Sequence, residues 1–127
     1  METVRYNAIQ ARNLRPFLEE VAREIDDRYI ALRRLNRRQR LAERSGESPA
    51  RRAELAAQRM AHSTVLEACL DDLTALGCIA EPGLPTVIRM PGRDGQFTSG
   101  LKITARYEDV DGQPMDGEVA SRAGWVA

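Results

Sequence analysis

Apolar residues in the first third of the chain recur alternately about four and three positions apart. Two polar residues, Arg28 and Gln39, interrupt the series. Its apolar members are Leu14, Leu18, Val21, Ile25, Leu32, Leu35 and Ala42. A period of about 3.5 residues is typical of a helix that packs against a second helix along most of its length. The pattern therefore predicts a long helix with a partner helix.

Residues around this series indicate where the first helix begins and bends. Asn7 is a suitable N-cap, because its side-chain oxygen can accept a backbone N–H at the start of a helix. Pro16 lacks an N–H and crowds the carbonyl group four residues back, so it bends or restarts a helix. Asn13 could cap the restart. We expect a short helix near 8–14, a bend at Pro16 and a long helix over about 16–44.

A turn signal follows the first helix. Gly46 can adopt the left-handed conformation that ends a helix, and Ser48 with Pro49 is typical of a helix start. The second helix is predicted from Pro49 to about Leu76, with Gly77 as its stop. A connection this short requires the two helices to run antiparallel.

The faces that the two helices present to each other change in size along the hairpin. The predicted face of the second helix comprises Ala53, Ala57, Met60 or Ala61, Thr64 or Val65, Ala68 or Cys69, Leu73 and Leu76. Large contact residues at the open end, away from the turn, are Phe17, Leu18, Val21, Ile25, Leu66, Leu70 and Leu73. Toward the turn they are mostly Ala, with Leu41 and Leu55. Because small residues bury little apolar area, we expect the turn end to project as a weakly packed arm unless a second copy covers it.

The pattern changes to strands after Leu84. Thr86–Met90 is a short β-type run, the residues from Gly92 to Gly95 favour a turn, and Leu101–Tyr107 alternates apolar and polar positions. The prediction is completed by a second turn at Asp111-Gly112, a weaker strand over Gly117–Ser121 and an apolar lid at Trp125. We expect a small antiparallel β-meander packed on the open end of the helices.

Length and composition support one soluble domain. The chain has 127 residues, of which 43% are hydrophobic and 30% are charged, and its formal net charge is zero. The predicted fold is α+β: residues 1–127 form a single domain, with a long antiparallel helical hairpin over 7–77 and a β-rich tail over 84–127. Zero net charge gives the whole molecule no general attraction to nucleic acid or membranes.

Cysteine content and hydropathy predict a bacterial-type cytoplasmic protein. Cys69 and Cys78 are too few for a disulfide framework, so we expect a reducing compartment and two thiols in the core. Residues 1–5 lack the apolar segment of a secretion signal. No apolar run approaches the roughly 20 residues that a membrane span needs, so no membrane partner is expected.

Charge is concentrated near the turn. Residues 33–59 contain nine Arg and three Glu, whereas residues 60–127 contain five basic and ten acidic residues. The densest basic cluster comprises Arg33, Arg34, Arg37, Arg38 and Arg40. Three interpretations are open: a solvated helix face, a homodimer in which each basic turn lies near the acidic part of the other copy, or an arm that binds nucleic-acid phosphates. The third lacks aromatic residues for base stacking and any helix-turn-helix or zinc pattern.

Residue types needed for common catalytic and metal sites are sparse. His62 is the only histidine and falls in the middle of the Ala-rich arm, so we expect neither a catalytic triad nor a Cys–His pair. A di-metal helical bundle would need a histidine three residues after a glutamate, but Leu70 follows Glu67 at that spacing. No phosphate loop or dinucleotide fingerprint is present. We therefore expect no catalytic residues, no metal and no cofactor.

One enzymatic hypothesis rests on a resemblance. The segment Arg23-Glu24-Ile25-Asp26-Asp27-Arg28, followed by Leu32 and Leu35, resembles the first helix of the all-helical chorismate mutases. The resemblance implies a site in which arginine side chains hold a small dicarboxylate by electrostatic attraction, with Arg28 as the ligand-binding residue. This sequence departs from that family because its helices contain no Lys and because a β-like tail follows them.

A second resemblance covers about the first 84 residues. The opening segment is similar to that of a bacterial family known as domain of unknown function 2203, with matches at Tyr6, Asn7, Ala11, Leu14 and Pro16. Leu76-Gly77-Cys78 resembles that family's Leu-Gly junction, and Gly83-Leu84 resembles its step into a β segment. Members of the family end in strands with Trp and His, whereas Trp125 stands alone here. The resemblance implies a helical hairpin with a small β unit and no known activity.

These patterns together favour a non-enzymatic interaction or accessory protein of the cytoplasm that forms a homodimer. The alternatives are an enzyme that binds a small anionic substrate through Arg28, and a nucleic-acid-binding basic arm.

Overall fold

Two long helices and a small antiparallel sheet make up the computed structural model, which describes residues 4–105 and the backbone of 107–108 and 114–115. The helices are α1 (Ala8–Ser45) and α2 (Pro49–Ala75). The strands are β1 (Ile79–Glu81), β2 (Val87–Met90), β3 (Leu101–Ile103), β4 (Tyr107–Glu108) and β5 (Pro114–Met115). A short 3₁₀ helix spans Phe97–Ser99. The predicted α+β fold, a helical hairpin followed by a β-meander, is confirmed.

α1 is one uninterrupted helix of 38 residues, about 57 Å long at about 1.5 Å per residue. Asn7 caps it as predicted: the Gln10 N–H donates to Asn7 Oδ1 at 2.9 Å, and the Asn7 N–H donates to Gln10 Oε1 at 3.0 Å. The predictions of a separate helix near 8–14 and of a restart at Asn13 were wrong, because Pro16 lies inside α1. Pro16 is exposed, so water can reach the carbonyl group that loses its helical partner.

Glycines end both helices in the left-handed conformation, with φ of 67° at Gly46 and 72° at Gly77. After α2, the Cys78 N–H donates to the Leu73 carbonyl oxygen at 2.9 Å, which satisfies a group that the helix end would leave unpaired. Ser48 caps α2 by accepting from the Arg51 N–H at 3.2 Å. The three residues between the helices bring them antiparallel, as predicted.

The first three strands form an antiparallel meander in chain order. Ala80 of β1 lies opposite Ile88 of β2, and Ile88 lies opposite Ile103 of β3. No sequence pattern had indicated β1. The predicted strand over Leu101–Tyr107 is divided, because β3 ends at Ile103 and Tyr107 begins β4. Outside the described residues lie three parts of the prediction: the turn at Asp111-Gly112, the strand over Gly117–Ser121 and the lid at Trp125.

Buried apolar residues form two separate groups. The open-end core joins α1 and α2 to the sheet and comprises Ala11, Leu18, Val21, Ala22, Ile25, Cys69, Leu73, Cys78, Ile88, Met90, Ile103 and Ala105. The turn-end cluster comprises only Leu35, Ala42 and Leu55. Every position of the predicted α1 series is buried or half-buried, so this prediction is confirmed.

The face of α2 toward α1 differs from the predicted one. Leu55, Cys69 and Leu73 are the buried residues of α2. Exposed residues among those predicted to face α1 are Ala53, Ala57, Met60, Ala61, Thr64 and Ala68. Phe17 and Leu41 were also predicted to be contacts, but they are 47% and 54% exposed. Burying Leu55 removes more apolar area from water than burying an Ala, which accounts for the rotation of α2 about its axis.

Candidate functional site

One face of α2 is largely apolar and exposed along most of the helix. It is formed by Ala53, Ala57, Met60, Thr64 and Ala68, which we call the outer strip. These residues are three or four positions apart, so they share one side of the helix, opposite the buried Leu55 and Leu73. Met60 is the largest of them and is 69% exposed. The outer strip therefore has the spacing of a helix-packing seam on a face that residues 4–105 leave open.

An open groove of about 440 Å³ adjoins the centre of the outer strip. Its lining residues are Ala56, Arg59, Met60, Ser63, Thr64 and Glu67. Arg59 lies at the end of the groove toward the turn and Glu67 at the end toward the sheet. Ala56, Ser63 and Thr64 leave the space between these longer side chains, and Met60 forms part of the lining.

Charge along α2 runs against the preference of an isolated helix. Its first turn contains no acidic residue and its last turn no basic residue. Instead Arg51 and Arg52 lie near the positive end of the helix dipole, and Asp71 and Asp72 near the negative end. Such placement is unfavourable within one helix, by about 0.3–1 kcal/mol per exposed charge.

The predicted basic cluster lies on the turn half of α1, and all five of its residues are exposed: Arg33, Arg34, Arg37, Arg38 and Arg40. Spacings of four and three place Arg33, Arg37 and Arg40, with Arg44, in one stripe along the helix. Within the described ranges none of these arginines forms an ion pair. Their charges are therefore available to solvent or to a partner.

Arg28 lies between the two buried groups and bridges α1 to α2. Its Nε and Nη2 donate to Glu24 Oε1 at 2.8 and 2.6 Å, and its Nη1 donates to His62 Nδ1 at 2.9 Å. Because Arg28 can only donate, this contact requires Nδ1 of His62 to carry a lone pair. All three nitrogens of the guanidinium are thus engaged within the protein. The role of Arg28 as a ligand-binding residue stays a prediction.

Asp26 is a fully buried carboxylate that sequence reasoning did not single out. The Thr86 N–H donates to Asp26 Oδ1 at 2.8 Å, and Thr86 Oγ1 donates to the Gly83 carbonyl oxygen at 3.2 Å. The bond to Asp26 attaches the loop that precedes β2 to the middle of α1, and the bond to Gly83 lies within that loop. The partner lies 60 residues away in sequence, so only knowledge of the fold could have identified the contact.

Both cysteines are buried in the open-end core, as predicted. Burial raises the pKa of the Cys78 thiol, and burial followed by the charges of Glu24 and Asp72 raises the pKa of the Cys69 thiol. A raised pKa keeps both sulfurs protonated at neutral pH and makes them poor nucleophiles.

Among the described residues, no three His, Cys, Asp or Glu side chains are grouped closely enough to hold a metal ion. Their helices include none that is both long and apolar enough for a membrane span.

Comparisons of the chain with protein-family models, with curated proteins and with solved structures find no match. The resemblance to domain of unknown function 2203 stays a prediction.

Proposed function

We propose that this protein is a non-enzymatic interaction protein that forms a homodimer through the outer strip of α2. The observation that carries the proposal is the exposed, seam-spaced outer strip itself, centred on Met60. A helix with apolar residues on two opposite faces is favoured where both faces have partners, and α1 covers only one of them. A reducing cytoplasm belongs to the proposal and is supported by the two unpaired, buried cysteines.

An antiparallel arrangement of the two α2 helices fits their charges best. With the two-fold axis near Met60 and Thr64, Ala57 of one copy lies beside Glu67 of the other, and the basic first half of each helix faces the acidic second half. Contacts between rim charges of opposite sign favour this direction over the parallel one, in which like charges would meet. Small side chains allow the helix backbones to approach closely, while Met60 supplies most of the apolar contact.

The proposal is tested by measuring molar mass with sedimentation equilibrium at tens of micromolar protein. The wild-type chain is expected to be a dimer, and Met60→Arg a monomer. An unpaired charge buried at the interface costs about 3–5 kcal/mol, so the variant should associate more than about a hundredfold less tightly.

Leu41→Arg is the matched control, since Leu41 is an exposed apolar residue of similar size on α1. It should remain dimeric, and circular dichroism should show equal helix content in both variants. A monomeric wild type over the whole concentration range, or equal dissociation in the two variants, would disprove the outer strip as the interface.

A second candidate function is polyanion binding by the arginine stripe of α1. It is favoured by the exposure of Arg33, Arg37, Arg40 and Arg44 without ion-pair partners in the described residues. The test is the salt dependence of binding to duplex and single-stranded oligonucleotides. Replacing Arg33, Arg37 and Arg40 together with Gln should reduce the slope against log salt by about 0.9 for every duplex phosphate that those arginines neutralise. Binding that is independent of salt and of these side chains would exclude it.

A further inference from the structure

A groove of about 510 Å³ lies at the open end of the molecule, between the start of α1 and the turn that joins β2 to β3. We call it the end groove. Three arginines line it, Arg12 and Arg15 from α1 and Arg93 from the turn, and its apolar lining includes Met90, Pro91 and Leu101. The volume falls within the roughly 300–1,000 Å³ typical of small-molecule sites. It is distinct from the outer strip and from the arginine stripe.

The two walls of the end groove are fastened to each other and to the core. The Tyr6 N–H donates to the Gly92 carbonyl oxygen at 3.3 Å, and the Tyr6 hydroxyl donates to the Leu76 carbonyl oxygen at 2.6 Å. Gly100 closes the turn against β2, and a Cβ at this position would overlap the Met90 carbonyl oxygen. The groove is therefore built by packed backbone and does not depend on long side chains alone.

Charges around the end groove leave arginine donors unpaired. Arg12 and Arg93 form no ion pair within the described residues, and Arg15 uses only its Nε toward Glu19, at 3.2 Å. The nearest acid on the turn, Asp94, accepts from the Gln96 N–H at 2.9 Å and from the Ser99 hydroxyl. Those hydrogen bonds engage Oδ1 within the turn and lower the pKa of Asp94, which keeps its carboxylate charged at neutral pH.

We infer that the end groove binds a small organic anion with an apolar body. Guanidinium groups bind carboxylate, phosphate and sulfonate through paired, charge-assisted hydrogen bonds. Leu101, which is 38% exposed, would contact the apolar body above the buried Met90 and Pro91, while the arginines from two elements hold the anionic group. The apolar lining selects against inorganic ions, and the arginines select against neutral compounds. The ligand therefore needs both an anionic group and an apolar body.

The test uses two fluorescent probes that share an aromatic body. Anilinonaphthalene sulfonate carries the anionic group, and phenylnaphthylamine lacks it. In the double variant Arg12→Gln and Arg93→Gln, affinity for the sulfonate should fall at least about tenfold, which corresponds to the removal of one charge-assisted hydrogen bond of about 1.5 kcal/mol. Affinity for the neutral probe should not change.

The double variant Arg34→Gln and Arg38→Gln is the control, because it removes the same two charges from exposed positions of α1 outside the arginine stripe, and it should leave sulfonate binding unchanged. All titrations are repeated in the Met60→Arg background. Loss of the dimer can then be distinguished from loss of sulfonate binding at the end groove. Unchanged sulfonate affinity in the double variant, equal weakening of both probes, or disappearance of sulfonate binding on Met60→Arg alone would each overturn the inference.

Discussion

The two ends of the hairpin differ in how completely one copy of the chain buries them. At the open end, Ile25, Leu73, Ile88 and Ile103 are almost fully buried between the helices and the sheet. At the turn end only Leu35, Ala42 and Leu55 form a buried cluster among the described residues, and it includes no residue of the sheet. The open end is stabilised by packing among both helices and the sheet, whereas at the turn end the two helices pack only on each other.

The largest expected effect is a cavity in the open-end core. Ile25→Ala should lower the free energy of unfolding by about 4 kcal/mol, because large-to-Ala changes at fully buried sites cost about 2–5 kcal/mol. Urea titration followed by circular dichroism measures it. Ile9→Ala, on the same helix at a position that is 70% exposed, is the control and should change the free energy by less than about 0.5 kcal/mol.

The same type of truncation at the turn end should cost less. Leu55→Ala is expected to lower the free energy of unfolding by about 2 kcal/mol, since a three-residue cluster can collapse or admit water around the missing methyl groups. Hydrogen exchange should show the destabilisation mainly in amides of the turn half, as local opening. Leu41→Ala is the exposed control. A destabilisation at Leu55 equal to that at Ile25 would refute the contrast between the two ends.

The smallest expected effect is a decrease in stability at alkaline pH that originates in the open-end core. Burial raises the pKa values of Cys69, Cys78 and Tyr6 in the folded chain. The folded state then keeps protons that the unfolded state releases, so stability is complete below the unfolded thiol pKa and falls as pH rises through it. Urea titrations from neutral pH to pH of about 10 measure the slope. The double variant Cys69→Ala and Cys78→Ala should flatten it, and an unchanged slope would contradict this origin.

Large apolar side chains made part of this architecture predictable. The α1 series identified its contact face, because Leu and Ile are rarely placed on an exposed seam. The face of α2 was not predictable in the same way: Ala53 and Ala57 fit either a tight helix contact or an exposed surface. Leu55 was predicted as a contact residue and is buried, but only the structure shows that Ala53 and Ala57 do not share its side of α2. The outer strip has the spacing of a helix contact in the sequence, but the prediction that it packs against α1 is wrong.

Contacts between segments far apart in the sequence account for most of the other features that the sequence did not predict. Nothing around Asp26 predicts its burial, because its hydrogen-bond partner belongs to a loop before β2. The end groove likewise combines the start of α1 with a turn about eighty residues later in the sequence. β1 is only three residues long, too short for an alternating pattern to show.

The contact of Arg28 with Glu24 and His62 contributes to the register of the hairpin. Sliding α2 by one helical turn along α1 would move His62 by about 5.4 Å and leave a half-buried guanidinium donor without its acceptor. In the turn half, the burial of Leu55 and the bond that Arg59 Nη1 donates to Gln39 Oε1 at 3.4 Å favour the same alignment. The only histidine in the chain thus helps to align the two helices lengthwise. That alignment in turn sets which charges stand side by side on the exterior of the arm.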